Sequence, residues 1–86
     1  MPRISAFYGI VIAMYHREHG VPHFHAIYSG ARASVAIETL EVLEGSLPRR
    51  VQRMVEEWAE LHRDELLANW QLTRDHQPPE RIDPLP

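Results

Sequence analysis

The chain of 86 residues contains no cysteine, which excludes disulfide bonds, thiolate metal ligands and a cysteine nucleophile. It also contains no lysine, so all nine basic side chains are arginines. Its longest apolar run, Ile10 to Tyr15, is far shorter than the roughly 20 residues that a membrane-spanning helix needs. No basic and apolar signal pattern opens the chain. We therefore expect a cytoplasmic domain without a membrane segment.

Charge is divided unevenly between the two halves of the chain. Residues 1–37 carry three arginines and one glutamate, whereas residues 38–86 carry six arginines and eleven carboxylates. The formal net charge of −3 argues against a protein that coats nucleic acid, because such binding comes mainly from the neutralisation of phosphates. A local RNA or anion site on the first half is compatible with this distribution.

The first half of the sequence has the composition of β-strands. Phe7 to His16 is apolar at nearly every position, which predicts an interior strand. His23 to Tyr28 predicts a second strand after a turn that contains glycine and proline, and Ala33 to Glu38 predicts a third. A short fourth strand is expected at Glu41 to Glu44.

From Pro48 the hydrophobic period changes to 3.6 residues, which predicts an amphipathic helix that ends near Gln77. The helix is expected either to continue for about 25 residues or to break near Arg63-Asp64. If it continues, its far end, with Leu67 and Trp70, overhangs the sheet and offers a surface to a partner.

These elements predict an α+β fold, with an antiparallel sheet of three or four strands packed against one long C-terminal helix. Residues 1–77 are expected to form a single domain. The proline-rich tail, residues 78–86, is expected to be either loosely docked or an interaction arm.

Four of the six histidines lie within ten residues, as His16, His19, His23 and His25. Imidazole, with an ordinary pKa of about 6.5, can serve as acid, base or metal ligand near neutral pH. On a strand, His23 and His25 point to the same face because side chains alternate. If the first two strands form a hairpin, His16 is a cross-strand neighbour of His23. The simpler alternative is that these side chains only hydrogen-bond the loop backbone.

The remaining two histidines lie in the helical half of the chain. His62 is expected to be a core histidine on the apolar helix face, and a contact with the strand histidines is the alternative. His76 is expected to interact with carbonyl groups at the helix end.

Four separated motifs resemble the small bacterial proteins grouped as domain-of-unknown-function family four-one-six-zero. They are residues 1–10, 18–26, 43–50 and 57–63, which read MPRISAFYGI, EHGVPHFHA, LEGSLPRR and EWAELHR. His19, His23 and His25 match the motif of this family. The chain departs from it at Val21, where the family usually has proline, and at His16, where relatives commonly have an aromatic residue. His16 is therefore the weakest member of any site.

The resemblance implies one component of a two-gene bacterial module of the toxin–antitoxin type, with a cognate small protein encoded alongside as its partner. It carries over no catalytic residues. The histidine cluster is compatible with a small endoribonuclease, since general acid–base cleavage of RNA needs two groups that titrate near neutrality. We expect His23 and His25, with His19, to be catalytic, and Arg17 or Arg32 to stabilise charge on the phosphate.

Two alternatives stay open. In the first, the chain is a non-catalytic metal-binding module in which His19, His23 and His25 hold zinc or nickel, with His16 or Glu18 as a further ligand. In the second, it is an interaction or antitoxin-like protein, and the helix end and tail bind a second copy or another partner. The endoribonuclease and the interaction protein require no cofactor, whereas the metal-binding module requires zinc or nickel.

Overall fold

Strands come first and helices second along the chain in the computed structural model, which describes residues 2–16 and 19–86. In the described residues the strands are β1 (Arg3–Phe7), β2 (Ile10–Ala13), β3 (His23–Tyr28), β4 (Ala31–Ala36) and β5 (Val42–Ser46). The helices are α1 (Arg49–Leu61) and α2 (Arg63–Arg74). Each strand pairs antiparallel with the next, in the order β1-β2-β3-β4-β5. This confirms the α+β class, but the sheet of the described residues has five strands rather than three or four.

The prediction of one interior strand from Phe7 to His16 is wrong, because the chain turns back at Tyr8-Gly9. Phe7 and Ile10 face each other across the β1–β2 pair. Tyr8 and Gly9 have φ angles of 50° and 80°. Positive φ at both central residues is what a two-residue type I′ hairpin turn requires. The apolar run therefore folds into the end of β1, the turn and all of β2.

The later strands differ less from expectation. β3 has the predicted bounds, and β4 lies two residues earlier than predicted. β5 continues through Gly45 to Ser46, although glycine predicted a break there. Gly45 has φ of 78°, and a Cβ added to it would lie 2.1 Å from the carbonyl oxygen of Arg32. The strand can pass this close to β4 because the residue is glycine.

The prediction of one long helix is also wrong, since α1 ends at Leu61 and α2 begins at Arg63. The residue between them, His62, has φ of −120° and ψ of 26°, which is not helical. The break lies next to Arg63-Asp64, where a break was predicted as the alternative to one continuous helix. Trp70 does not overhang the sheet, since only 5% of it is exposed and it belongs to the core.

The tail is docked on the domain and is part of the fold. Ile82 is 4% exposed, and its N–H donates to the carbonyl of Ile4 at 2.7 Å. Trp58 Nε1 donates to the carbonyl of Asp83 at 2.8 Å. Asn69 donates from Nδ2 to the Glu80 carbonyl and accepts the Glu80 N–H at Oδ1, both at 2.8 Å. Ile82, an apolar side chain of the tail that was expected either to dock loosely or to bind a partner, is thus buried in the domain.

Much of the core lies between one face of the sheet and α1, and α2 also contributes Leu66 and Trp70 to the core. Trp58 of α1 is fully buried, and its ring centroid lies 5.4 Å from that of Phe7 and 5.9 Å from that of Phe24. Ile10 and Ile12 of β2 are also fully buried. Since side chains alternate along a strand, the residues between these project from the other face of the sheet. Among the described helices, none is long and apolar enough to cross a membrane.

Candidate functional site

Two histidines stand side by side on the sheet face opposite to the Trp58 side of the core. In β3, Phe24 and Ala26 are fully buried in the core, whereas His23 and His25 alternate with them. The imidazole centroids of His23 and His25 are 5.3 Å apart, and the ring planes are inclined by 74°. The predicted convergence of these two side chains is therefore present in the structure.

His23 lies at the beginning of β3, and Val21 and Trp70 are among the residues that contact its ring. It is 8% exposed, and its Nδ1 lies 2.8 Å from the carbonyl oxygen of Val21. A carbonyl can only accept, so the Nδ1 of His23 carries the proton in this bond. The neutral ring then has its lone pair at Nε2. The Trp70 ring of α2 packs against it, with a centroid distance of 5.0 Å.

His25 is half-buried and lies in the middle of the sheet. It faces Ala13 on one side and Ser34 on the other. Ser34 Oγ and His25 Nδ1 form a hydrogen bond of 3.3 Å, in which the hydroxyl can donate to the ring nitrogen or accept from it. The Tyr15 ring meets the imidazole edge-on, with centroids 4.5 Å apart. Ser34 and Tyr15 therefore both restrain the position of the His25 imidazole.

Arginines flank the pair on the same face. Arg32 is exposed and lies opposite Ile27, two residue pairs along the strands from His25 and Ser34. Residues two positions apart on a strand are about 6.6 Å apart, so a phosphate at His25 is within reach of the long Arg32 side chain. Arg3 of β1 is exposed and lies opposite Ala13, in the same row as His25. The predicted phosphate residue Arg32 is thus near the pair.

Other predicted site residues are placed differently. His16 and His19 are exposed in the loop between β2 and β3. Arg17 and Glu18, predicted as a phosphate-binding residue and an alternative metal ligand, lie outside the described residues. Over 2–16 and 19–86, no three histidine, aspartate or glutamate side chains form a group that could hold a metal ion. The His19, His23 and His25 metal set therefore has no support from the described part of the chain.

His62 is at the junction of the helices. Its ring packs on Trp58, with a centroid distance of 5.5 Å, and its Nδ1 lies 2.5 Å from Glu65 Oε1. His62 therefore contacts residues of the two helices that it joins. This favours the expected core histidine over a contact with the strand histidines.

Three members of the site were not predicted: Tyr15, Ser34 and Trp70. A signal for Ser34 exists in the sequence, because a two-residue turn at Ser29-Gly30 places residue 25 opposite residue 34. No comparable signal exists for Trp70, whose contact with His23 depends on the direction that α2 takes after His62.

The pair can transfer protons and bind an anion. Two imidazoles at 5.3 Å can contact two atoms of one bound group, such as the attacking and leaving oxygens of a phosphodiester. The carbonyl of Val21 and the hydroxyl of Ser34 orient the rings. General acid–base catalysis needs reactive rings whose orientation is fixed by neighbouring hydrogen-bonding groups in this way.

Comparison with known families and proteins gives a family match. The family model described as Domain of unknown function (DUF4160) matches residues 9–71. This confirms the family that the four motifs resemble, and the matched range includes Tyr15, His23, His25, Ser34 and Trp70. No curated protein matches the chain, and no solved structure matches it.

Proposed function

Because the chain belongs to the family Domain of unknown function (DUF4160), whose description names no activity, we propose its function from its own site. The chain is a histidine-dependent endoribonuclease and acts as the toxic component of a two-gene bacterial module. The observation that carries the chemistry is the pair of imidazoles of His23 and His25, 5.3 Å apart on one sheet face. The family resemblance is what supports the two-gene module.

His23 is the general base in this proposal. Its Nδ1–H is bonded to the carbonyl of Val21, so its Nε2 takes the proton from the ribose 2′-hydroxyl. The 2′-oxygen then attacks the adjacent phosphorus and forms the fifth bond of a phosphorane. Because Trp70 packs on the ring and the Val21 carbonyl holds one nitrogen, the base keeps one orientation throughout this step.

His25 is the general acid. In its protonated form Nδ1–H donates to Ser34 Oγ, and Nε2–H gives its proton to the departing 5′-oxygen. The products are a 2′,3′-cyclic phosphate and a 5′-hydroxyl end. Water later opens the cyclic phosphate with the two histidines in exchanged roles.

Charge on the phosphorane is stabilised by arginine. Arg32 lies two residue pairs from His25, on the same face, and its guanidinium matches the geometry of phosphate oxygens. Arg17 is the second candidate on grounds of sequence. The local positive charge of this half of the chain draws RNA to the sheet face although the net charge of the whole chain is −3.

Induction of the chain in a bacterial host tests the proposal. The wild type is expected to arrest growth, and the His23→Ala, His25→Ala variant to permit it at equal abundance and equal folding. His76→Ala is the matched control, because it removes an exposed histidine outside the pair. Normal growth with the wild type, or arrest by the double variant as well, would contradict the proposal.

A purified-protein assay tests the chemistry separately. A labelled RNA oligonucleotide is expected to yield cyclic phosphate ends, whereas the same oligonucleotide with 2′-O-methyl groups stays intact. Cleavage should continue in EDTA, because no step uses a metal. The metal-binding alternative predicts instead that untagged protein carries stoichiometric zinc or nickel and melts at a lower temperature after chelation.

A further inference from the structure

One edge of the sheet is open in the described residues. β5 (Val42–Ser46) is the last strand in the order and pairs with β4 alone, whereas the tail bonds to β1 at the other edge through Ile82 and Ile4. The last four residues of β5 are exposed. An edge strand presents N–H and C=O groups that can pair with another extended chain.

The open edge is acidic. Glu38 and Glu41 lie in the connection between β4 and β5, and Glu44 lies within β5, all of them exposed. The ion pair found among the described residues joins His62 to Glu65 and involves none of these three. Of the neighbouring arginines, Arg32 lies opposite Ser46, and Arg63 donates from Nε to the carbonyl of Ile37. Among the described residues, the three carboxylates therefore give this edge of the sheet a negative charge.

An apolar pocket accompanies the charge. Val21, Pro22, Ala36 and Leu43 line it together with Glu38, Thr39 and Glu41, and its volume is 240 Å³. This is below the roughly 300 Å³ at which pockets for drug-sized ligands begin, and is better matched to an apolar side chain. Leu43 of β5 is 42% exposed and Val21, which precedes β3, is 55% exposed, so the pocket has uncovered apolar surface that begins at the edge strand.

We propose that β5 binds an extended segment of a partner protein, which adds a strand to the sheet. The segment carries arginine or lysine opposite Glu38, Glu41 and Glu44 and places one apolar side chain in the pocket. In β-strand addition, main-chain hydrogen bonds supply affinity and pockets for alternate side chains supply specificity. This assigns the partner to the sheet edge rather than to the helix end and tail.

A second copy of the chain fits this edge less well. Antiparallel pairing of β5 with itself about Glu44 would place two Glu44 side chains directly opposite each other. It would also bring both copies of Glu38 and Glu41 to one interface. Like charges directly opposite across a strand pair are destabilising, whereas opposite charges are stabilising. The occupant is therefore a basic strand from another protein.

Peptide binding to the full chain tests the proposal. The probe is a fluorescent peptide of alternating arginine and valine, and the comparison peptide has glutamate in place of arginine. Fluorescence anisotropy should show binding of the basic peptide and none of the acidic one. The Glu38→Gln, Glu41→Gln, Glu44→Gln variant should weaken binding about tenfold, as three partly screened ion pairs would. The control with the same change of charge is Glu57→Gln, Glu60→Gln, Glu80→Gln.

The location of binding is measured by amide chemical-shift changes on the labelled protein. We expect the changes at residues 36–46 and at Val21. Failure of the basic peptide to bind at millimolar concentration, equal weakening by both triple variants, or shifts centred on the helices would overturn the proposal. Sedimentation that shows a dimer abolished by the Glu44→Arg substitution would also overturn it, in favour of a second copy.

Discussion

Ser34 and His25 lie directly opposite each other across β3 and β4 and share a hydrogen bond of 3.3 Å between Oγ and Nδ1. Ser34 is 8% exposed, so its hydroxyl has little access to water. A buried hydroxyl normally has a hydrogen-bonding partner, and here that partner is a candidate catalytic ring. The serine thus links β4 to the orientation of the proposed general acid.

The first prediction concerns this link. Ser34→Ala should lower RNA cleavage by about tenfold while reducing the free energy of unfolding by about 1 kcal/mol, the usual value of one such hydrogen bond. His25 would keep its position but lose the group that orients Nδ1. Cleavage rates and urea unfolding provide the two measurements. Ser46→Ala, on exposed β5, is the control. An unchanged cleavage rate in Ser34→Ala would show that the bond is structural alone.

The second prediction concerns the tail. Ile82→Ala should lower the free energy of unfolding by about 2–4 kcal/mol, because Ile82 is 4% exposed and belongs to the core cluster. Arg81→Ala, at the exposed neighbouring position, should change it by less than about 0.5 kcal/mol. Urea denaturation of the two variants compares them. Equal stability of Ile82→Ala and the wild type would mean that the tail is a detached arm after all.

The third prediction compares two glycines of similar backbone conformation. Gly45→Ala should destabilise the fold by more than Gly20→Ala, because an added Cβ at residue 45 would lie 2.1 Å from the Arg32 carbonyl, whereas at residue 20 it would meet no atom of the described residues within 4 Å. Both have positive φ, so each substitution also costs about 1 kcal/mol of backbone strain. Thermal melting measures the difference. Equal melting temperatures would contradict the close approach of Gly45 to the Arg32 carbonyl.

The strands show where sequence reasoning works and where it does not. β3 was predicted with its observed bounds because its apolar and β-branched residues lie between two turns with glycine. The Tyr8-Gly9 turn was missed because an aromatic residue is unusual at φ of 50°, so the long apolar run suggested one strand. Composition alone does not separate one long strand from a hairpin with such a turn.

Prediction of the helical half of the chain was limited because its features depend on tertiary structure. The break at His62 has no glycine or proline to indicate it, and the apolar stripe continues through it. The chain bends there because α2 places Leu66 and Trp70 in the core. For the same reason the histidine pair was predictable from alternation on β3, but its contact with Trp70 was not. The bonds that Trp58 and Asn69 make to the tail also depend on that bend.

The fourth prediction tests the Tyr8-Gly9 turn. Tyr8 is 61% exposed and has φ of 50°, a conformation that asparagine adopts more readily than an aromatic residue. Tyr8→Asn should therefore raise the free energy of unfolding by about 0.5 kcal/mol and leave cleavage unchanged. Tyr8→Val, which is β-branched, should lower it. Urea unfolding should give a higher free energy of unfolding for Tyr8→Asn than for the wild type and a lower one for Tyr8→Val. The reverse order would contradict the turn geometry.

The last prediction separates the shape of Trp70 from its hydrogen-bonding group. Trp70 is 5% exposed, its ring packs against His23, and its Nε1 is buried without a hydrogen-bond partner in the described structure. Burying a donor without an acceptor costs about 1–3 kcal/mol, which offsets part of the gain from burying the ring. A phenylalanine would remove that donor and keep an aromatic face toward the histidine.

Trp70→Phe is therefore expected to leave the free energy of unfolding within about 1 kcal/mol of wild type and to retain cleavage, whereas Trp70→Ala should cost about 3–5 kcal/mol. In the alanine variant His23 would lose the ring that restrains it, so cleavage should fall even at temperatures where the variant stays folded. Circular dichroism and cleavage assays on both variants measure the two effects. If Trp70→Phe abolished cleavage while remaining folded, the indole N–H would have to take part in the site, and His23 would not be oriented by packing alone.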